Sequence, residues 1–186
     1  MKKSFFSLLV SVCVLMTPPP LMLFARAQQN SVSAGNTQDS RLMSIFWGIV
    51  GYTRWPDTKG ALRICLSGDD QHSAMIRQSA IKLGHRVATL SEMENTATTC
   101  DIVYVSGTGM DEVGELSRSL AGAPVLSIGD GGKFCSMGGM FCLLSGKEKN
   151  GHKNIDRFAV NLDAISRSTL RIDPQVLRLS KDTWER

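Results

Sequence analysis

The chain has 186 residues, 42% of them apolar and 20% charged, which excludes a disordered tail, a collagen-like repeat and a multi-span membrane protein. Its formal charge of +4 invites a basic-protein reading, but Lys2, Lys3 and Arg26 lie in a segment read below as a removable leader. Without them eighteen basic residues face seventeen acidic ones, and no nucleic-acid partner is expected.

Lys2 and Lys3 precede an apolar run from Phe5 to Met16; Pro18, Pro19 and Pro20 follow, and a second apolar cluster ends in Ala25-Arg26-Ala27. A basic start, an apolar core and an A-x-A site form the pattern of a cleaved secretory signal over residues 1–27. The rival reading is a retained anchor. A spanning helix needs about 20 continuous apolar residues, and three prolines would break this one midway. Cleavage after Ala27 would leave about 159 residues, enough for one domain with a sizeable core. Residues 28–39 are polar without apolar periodicity and read as a flexible leader, so one domain is expected over residues 40–186.

Leu42, Ile45, Phe46, Ile49 and Val50 recur at helical spacing, with Pro56 as the stop. Residues 62–66 (LRICL) predict a buried strand, and Gly68-Asp69-Asp70 a turn that caps a helix running to Leu83, with Gly84 just past its end. Residues 86–90 suggest a second strand, followed by a polar loop. Residues 101–106 (DIVYVS) predict a third strand, Val113, Leu116 and Leu120 one helix face, and residues 124–128 (PVLSI) a fourth strand. This alternation argues for an α/β domain with a mostly parallel sheet and flanking helices. Beyond Asp130 the order changes. Residues 140–144 and 156–160 read as two strands with no helix between them, an antiparallel C-terminal hairpin. Leu162, Ile165 and Leu170 suggest a short helix, and Asp173-Pro174 opens a last one, with Asp173 as cap.

Removing Cys13 with the leader leaves Cys65, Cys100, Cys135 and Cys142. An even set in an exported protein favours disulfides, while zinc lacks any CxxC or HxxxH-type spacing. Three pairings are possible. Cys135 and Cys142 flank a stretch with two glycines that can turn the chain, and Cys65 and Cys100 belong to strands that could be neighbours. Cys65–Cys100 and Cys135–Cys142 are therefore preferred.

Catalytic motifs fail on inspection. Gly107-Thr108-Gly109 follows a strand, but Glu112 stands where a dinucleotide loop needs glycine. Gly129-Asp130-Gly131-Gly132-Lys133 lacks the hydroxyl residue after the lysine and reads as a turn. His72, His85 and His152 lie far apart among polar residues and read as surface histidines. Asp69-Asp70 and Glu92/Glu94 fall in turns or loops, where solvated charge is the default. No enzyme activity, metal or cofactor is expected. Phe46, Trp47, Tyr52 and Trp55 crowd the first helix and its end, and Phe134 and Phe141 flank the second cysteine pair. Most should be core, with those beside the glycine-rich loop as possible interface anchors.

Residues 49–56 (IVGYTRWP) and Ile64-Cys65-Leu66, then VLSIGD at 125–130, FCSMGGMFCLL at 134–144 and RFAVNLDAISRSTLRIDPQVLRLS at 157–180 resemble the YfiR family of periplasmic regulators, in order and across the whole mature domain. The resemblance implies a small exported α/β protein, commonly a homodimer, with two disulfides in the pairing preferred above. It implies binding and repression of the periplasmic sensor region of a YfiN-type inner-membrane diguanylate cyclase, lowering cyclic di-GMP and biofilm formation. Relief would come from capture by a YfiB-type outer-membrane OmpA-like lipoprotein, or from reducing conditions. Carried over by position, Phe141 and Ile165 belong to the repression surface. Ala159 stands where some members carry an acidic residue, and residues 146–154 look longer than in relatives. The alternative expectation is a periplasmic small-ligand-binding sensor with an aromatic-lined pocket.

Overall fold

A computed structural model describes residues 40–57, 60–92, 95–145 and 155–181. The leader, the hairpin tip at 146–154, His152 and Glu94 therefore lie outside the described residues. Helix α1 covers residues 40–51 and leads into a two-residue strand β1 (Thr53–Arg54). Then come β2 (Arg63–Leu66), α2 (Gln71–Lys82), β3 (Arg86–Thr89), α3 (Thr96–Thr99), β4 (Ile102–Val105), α4 (Met110–Ser119) and β5 (Leu126–Asp130). The C-terminal part adds α5 (Gly132–Ser136), β6 (Phe141–Ser145), β7 (Ile155–Val160), α6 (Leu162–Arg167), β8 (Arg171–Ile172) and α7 (Arg178–Lys181).

The six-stranded sheet has the order β3-β2-β4-β5-β6-β7. All neighbours are parallel except the edge pair β6 and β7, so the expected parallel sheet with an antiparallel hairpin is what forms, in a single domain. Alternation along each strand gives the sheet two buried faces. Ile64, Leu66, Ile102, Tyr104, Leu126, Ile128, Phe141, Leu143 and Phe158 point to one face, where α1, α2 and the C-terminal elements supply Phe46, Ile49, Ile76, Ala164 and Val176. Cys65, Val103, Val105 and Cys142 point to the other, covered by Val113 and Leu120 of the α4 region and by Phe134 of α5.

Local chemistry explains most boundaries. Asp70 caps α2, its carboxylate accepting from the Ser73 N–H at 2.8 Å, and Gly84 takes the left-handed conformation just past the end (φ 80°). Ser73, Ile76 and Ala80 make the buried face of that helix. Four short elements escape the sequence reading. Strands β1 and β8 pair antiparallel, Thr53 with Ile172, too short for any periodicity to register. Helix α3 is a single turn of threonine-rich chain inside the expected polar loop, and Cys100 anchors its end. The turn expected over residues 129–133 is instead the end of β5 and the start of α5, held down by the buried Phe134 ring. Strand β5 begins two residues later than predicted, since Pro124 has no N–H for a ladder, and the last helix opens as a 3-10 turn over Pro174–Leu177 capped by Asp173.

Both cysteine pairs are disulfides in the preferred pairing, with Cα separations of 5.9 Å for Cys65–Cys100 and 5.7 Å for Cys135–Cys142. Beside the first, the buried Asp101 carboxylate accepts from the Arg63 backbone N–H at 2.8 Å and from its guanidinium at 3.3 Å. The starts of β2 and β4 are thereby joined covalently and ionically. Two histidines expected at the surface have specific work instead. His85 stacks on Trp47 and its Nδ1 accepts from the Leu62 N–H, while His72 meets Asp130 at 3.0 Å.

Candidate interaction surface

The region around Phe141 and Ile165 is assembled by three successive elements. The Cys135–Cys142 disulfide closes the loop from α5 to β6. Inside it the Phe134 ring lies so close to Gly129 and Gly139 that a Cβ at either glycine would run into it. Only glycine allows that approach. Across β6, Phe141 pairs with Val160 and Cys142 with Ala159, so the disulfide sits beside the position where some relatives carry an acid. The Cys135 sulfur lies 3.8 Å from the Ala159 carbonyl; a disulfide sulfur has no hydrogen to donate, so this is packing.

Asn161 ties this loop to α6. Its backbone N–H donates to the Met140 carbonyl at 2.8 Å, its side-chain amide donates to the Cys135 carbonyl at 2.8 Å, and its side-chain oxygen caps α6 by accepting from the Ala164 N–H at 3.0 Å. One residue therefore satisfies a loop carbonyl and a helix N-terminus together. The helix it starts buries Ala164 toward the core and leaves Leu162 72% exposed. Ile165, three residues on and hence on the neighbouring surface of the helix, is half-buried against the core.

The two expected site aromatics behave differently from the expectation. Phe141 is 0% exposed and packs on Phe158 with ring centroids 5.8 Å apart; Phe134 is also buried. Neither presents a surface, because β6 is an interior strand and Phe134 fills the disulfide loop. Ile165 remains accessible, and Leu162, which the sequence reading treated only as a core-spacing residue, is the most exposed large apolar side chain among the described residues. Ala164, two residues on and so nearly opposite on the helix, is the buried one, which turns the Leu162–Ile165 spacing outward.

The YfiR/HmsC-like family model matches residues 41–181. The chain belongs to the YfiR/HmsC-like family. The match runs from α1 to the last residue of α7, so it covers the sheet, both disulfides and the α6 surface alike. The family is regulatory and non-catalytic, and membership supports a periplasmic regulator in diguanylate cyclase signalling.

Proposed function

We propose that this YfiR-like protein represses a YfiN-type inner-membrane diguanylate cyclase by binding its periplasmic sensor region, lowering cyclic di-GMP and biofilm formation. It works as an exported homodimer, and a YfiB-type outer-membrane OmpA-like lipoprotein relieves repression by capturing it. The observation that carries the reading is the exposed Leu162 beside Ile165 on a helix fixed to the disulfide-closed loop. Covering exposed apolar surface favours association by about 25 cal/mol per Å², and α6 offers an exposed Leu162 with a half-buried Ile165 beside it on a rigid support. Redox sensitivity follows from the same arrangement, since reduction of Cys135–Cys142 loosens the loop whose carbonyl holds Asn161.

The test is a deletion strain complemented with wild type or with Ile165→Asp, cellular cyclic di-GMP being measured. Deletion should raise cyclic di-GMP, and wild type should restore the low level. Ile165→Asp should fail to restore it while the purified variant keeps its melting temperature within a few degrees. An unchanged cyclic di-GMP level on deletion would rule out repression. Full complementation by Ile165→Asp would move the interface away from α6.

A further inference from the structure

The six-stranded sheet ends on one side in β3 and on the other in β7. An open edge presents unpaired N–H and C=O groups and invites another strand, so natural sheets blunt their edges with charges, prolines or breaks in register. Strand β7 is blunted. It carries Asp156 and Arg157, and its pairing with β6 shifts register between Leu144 and Ser145. Strand β3 is not: Arg-Val-Ala-Thr runs in unbroken register with β2, with its one charge at the first position. The Arg86 N–H donates to the Leu62 carbonyl at 2.9 Å, so in this parallel ladder Arg86 and Ala88 turn their backbone groups to β2. Those of Val87 and Thr89 face outward, where no strand pairs among the described residues. Helix α2 extends the same surface. Its Ser79 hydroxyl accepts from the Trp47 indole N–H at 2.8 Å and so faces α1. Ile81, two residues on and nearly opposite on the helix, points away from α1 and is 62% exposed, with Leu83 exposed just beyond it.

We propose that a second copy of this chain docks on the β3 edge, the two sheets joining through antiparallel β3 strands about a two-fold axis at Ala88. This rests on the homodimer of the proposed function and names the surface it uses. Centred on Ala88, the pairing sets Val87 opposite Thr89 of the second copy, and both residues have their N–H and C=O outward. The two equivalent pairs make four hydrogen bonds. Centring on Val87 or on Thr89 would leave the other outward residue without a strand partner. Ala88 then meets its own copy in a non-hydrogen-bonded pair, where Cα atoms approach to about 4.5 Å, and it has the smallest side chain of the strand. Arg86 falls opposite Leu90 of the second copy, so no like charges face each other. A two-fold interface must complement itself, and this register does so in hydrogen bonding, size and charge. Ile81 of each copy stands beside the added strands, which cover its exposed side. None of these residues belongs to α6, which stays free for the cyclase.

Sedimentation velocity on the mature oxidised protein at about 100 μM tests this, and the wild type should be a dimer. Thr89→Pro deletes an outward N–H and leaves the ladder to β2 intact. It should keep a cooperative melt and weaken the dimer roughly tenfold or more. Ala88→Lys and Ala88→Glu each set like charges face to face on the axis and should be monomers on their own. Mixed in equal amounts they should form a dimer again, a rescue that a merely misfolded variant would not give. That mixture decides the matter if Thr89→Pro fails to fold. A monomeric wild type overturns this interface and the homodimer reading together. A dimer left intact by Thr89→Pro and by both Ala88 variants overturns the interface alone. A mixture that stays monomeric overturns the two-fold at Ala88.

Discussion

On one face of the sheet twenty-two buried residues form a continuous apolar layer among the described residues, and on the other only nine do. Both disulfides belong to the second face: Cys65, Cys100 and Cys142 are buried in it and Cys135 packs against it. The first face is covered by long helices whose apolar stripes read directly from sequence. The second is covered by α4, one turn of α3 and the five residues of α5. Burial supplies about 25 cal/mol per Å² of apolar surface, so the thinner layer has less to offset the entropy of ordering its chain. Two covalent links make up part of the difference. The teaching is that redox state should act on one face of this protein and leave the other comparatively indifferent.

The sharpest way to break that comparison is to damage each face in turn. Phe46 is fully buried on the thick face, edge-on to both Trp47 and Tyr104. Phe46→Ala should remove about 3–5 kcal/mol, by nearly the same amount with and without reductant, in urea unfolding followed by circular dichroism. A loss that doubled on reduction would mean that the two faces are not separable.

Next come the staples. The Cys65–Cys100 pair spans 35 residues and Cys135–Cys142 only seven. Loop entropy assigns them about 4 and about 2.5 kcal/mol respectively, as upper-end figures. The double serine variant at 65 and 100 should therefore unfold at lower urea than the one at 135 and 142. The second variant should nonetheless show the larger fall in partner capture, because it frees the loop that holds Asn161. The idea fails if the order of partner capture follows the order of stability.

How far the sequence leads differs between long elements and those held at long range. Helical periodicity at Leu42, Ile45, Phe46 and Ile49 and at Val113, Leu116 and Leu120 marks the long elements, and Asp70, Gly84 and Asp173 mark their ends by known capping chemistry. The elements missed are those stabilised at long range: β1 needs β8, more than 100 residues away, and α5 exists because Phe134 fits over Gly129 and Gly139. Cysteine parity and spacing reached the disulfides. Position in a family motif says that Phe141 matters and puts it on the repression surface, whereas burial depends on β6 having neighbours on both sides. Asn161 went unnoticed for a similar reason: its amide partner, the Cys135 carbonyl, lies 26 residues away in sequence.

A smaller perturbation isolates that link. Asn161→Ala removes the α6 cap, for which about 1 kcal/mol is typical, and leaves the Cys135 carbonyl without the side-chain amide. The effect on global unfolding should be modest, while amide hydrogen exchange should rise in α6 and in the loop 135–142 together. Faster exchange in α6 alone would show that the loop holds its shape without Asn161.

The smallest effect concerns Asp70, which caps a helix of the thick face yet reaches toward Ser106 at the strand ends. Burial by itself would raise its carboxyl, but hydrogen bonds from the Ser106 hydroxyl and the Ser73 backbone and the charge of His72 outweigh it, holding the group below its ordinary value of 3.8. A carboxylate depressed in the folded state adds stability that is present above the unfolded value and disappears as pH falls through the folded one. Asparagine caps a helix about as well as aspartate, so Asp70→Asn keeps the cap and discards only the charge. The variant should melt slightly below wild type near neutral pH, and the gap should close as pH falls through the folded value, which lies below 3.8. A gap that persists at pH 2 would mean that the lost stability is geometric, and that the carboxylate's charge contributes nothing at this edge of the sheet.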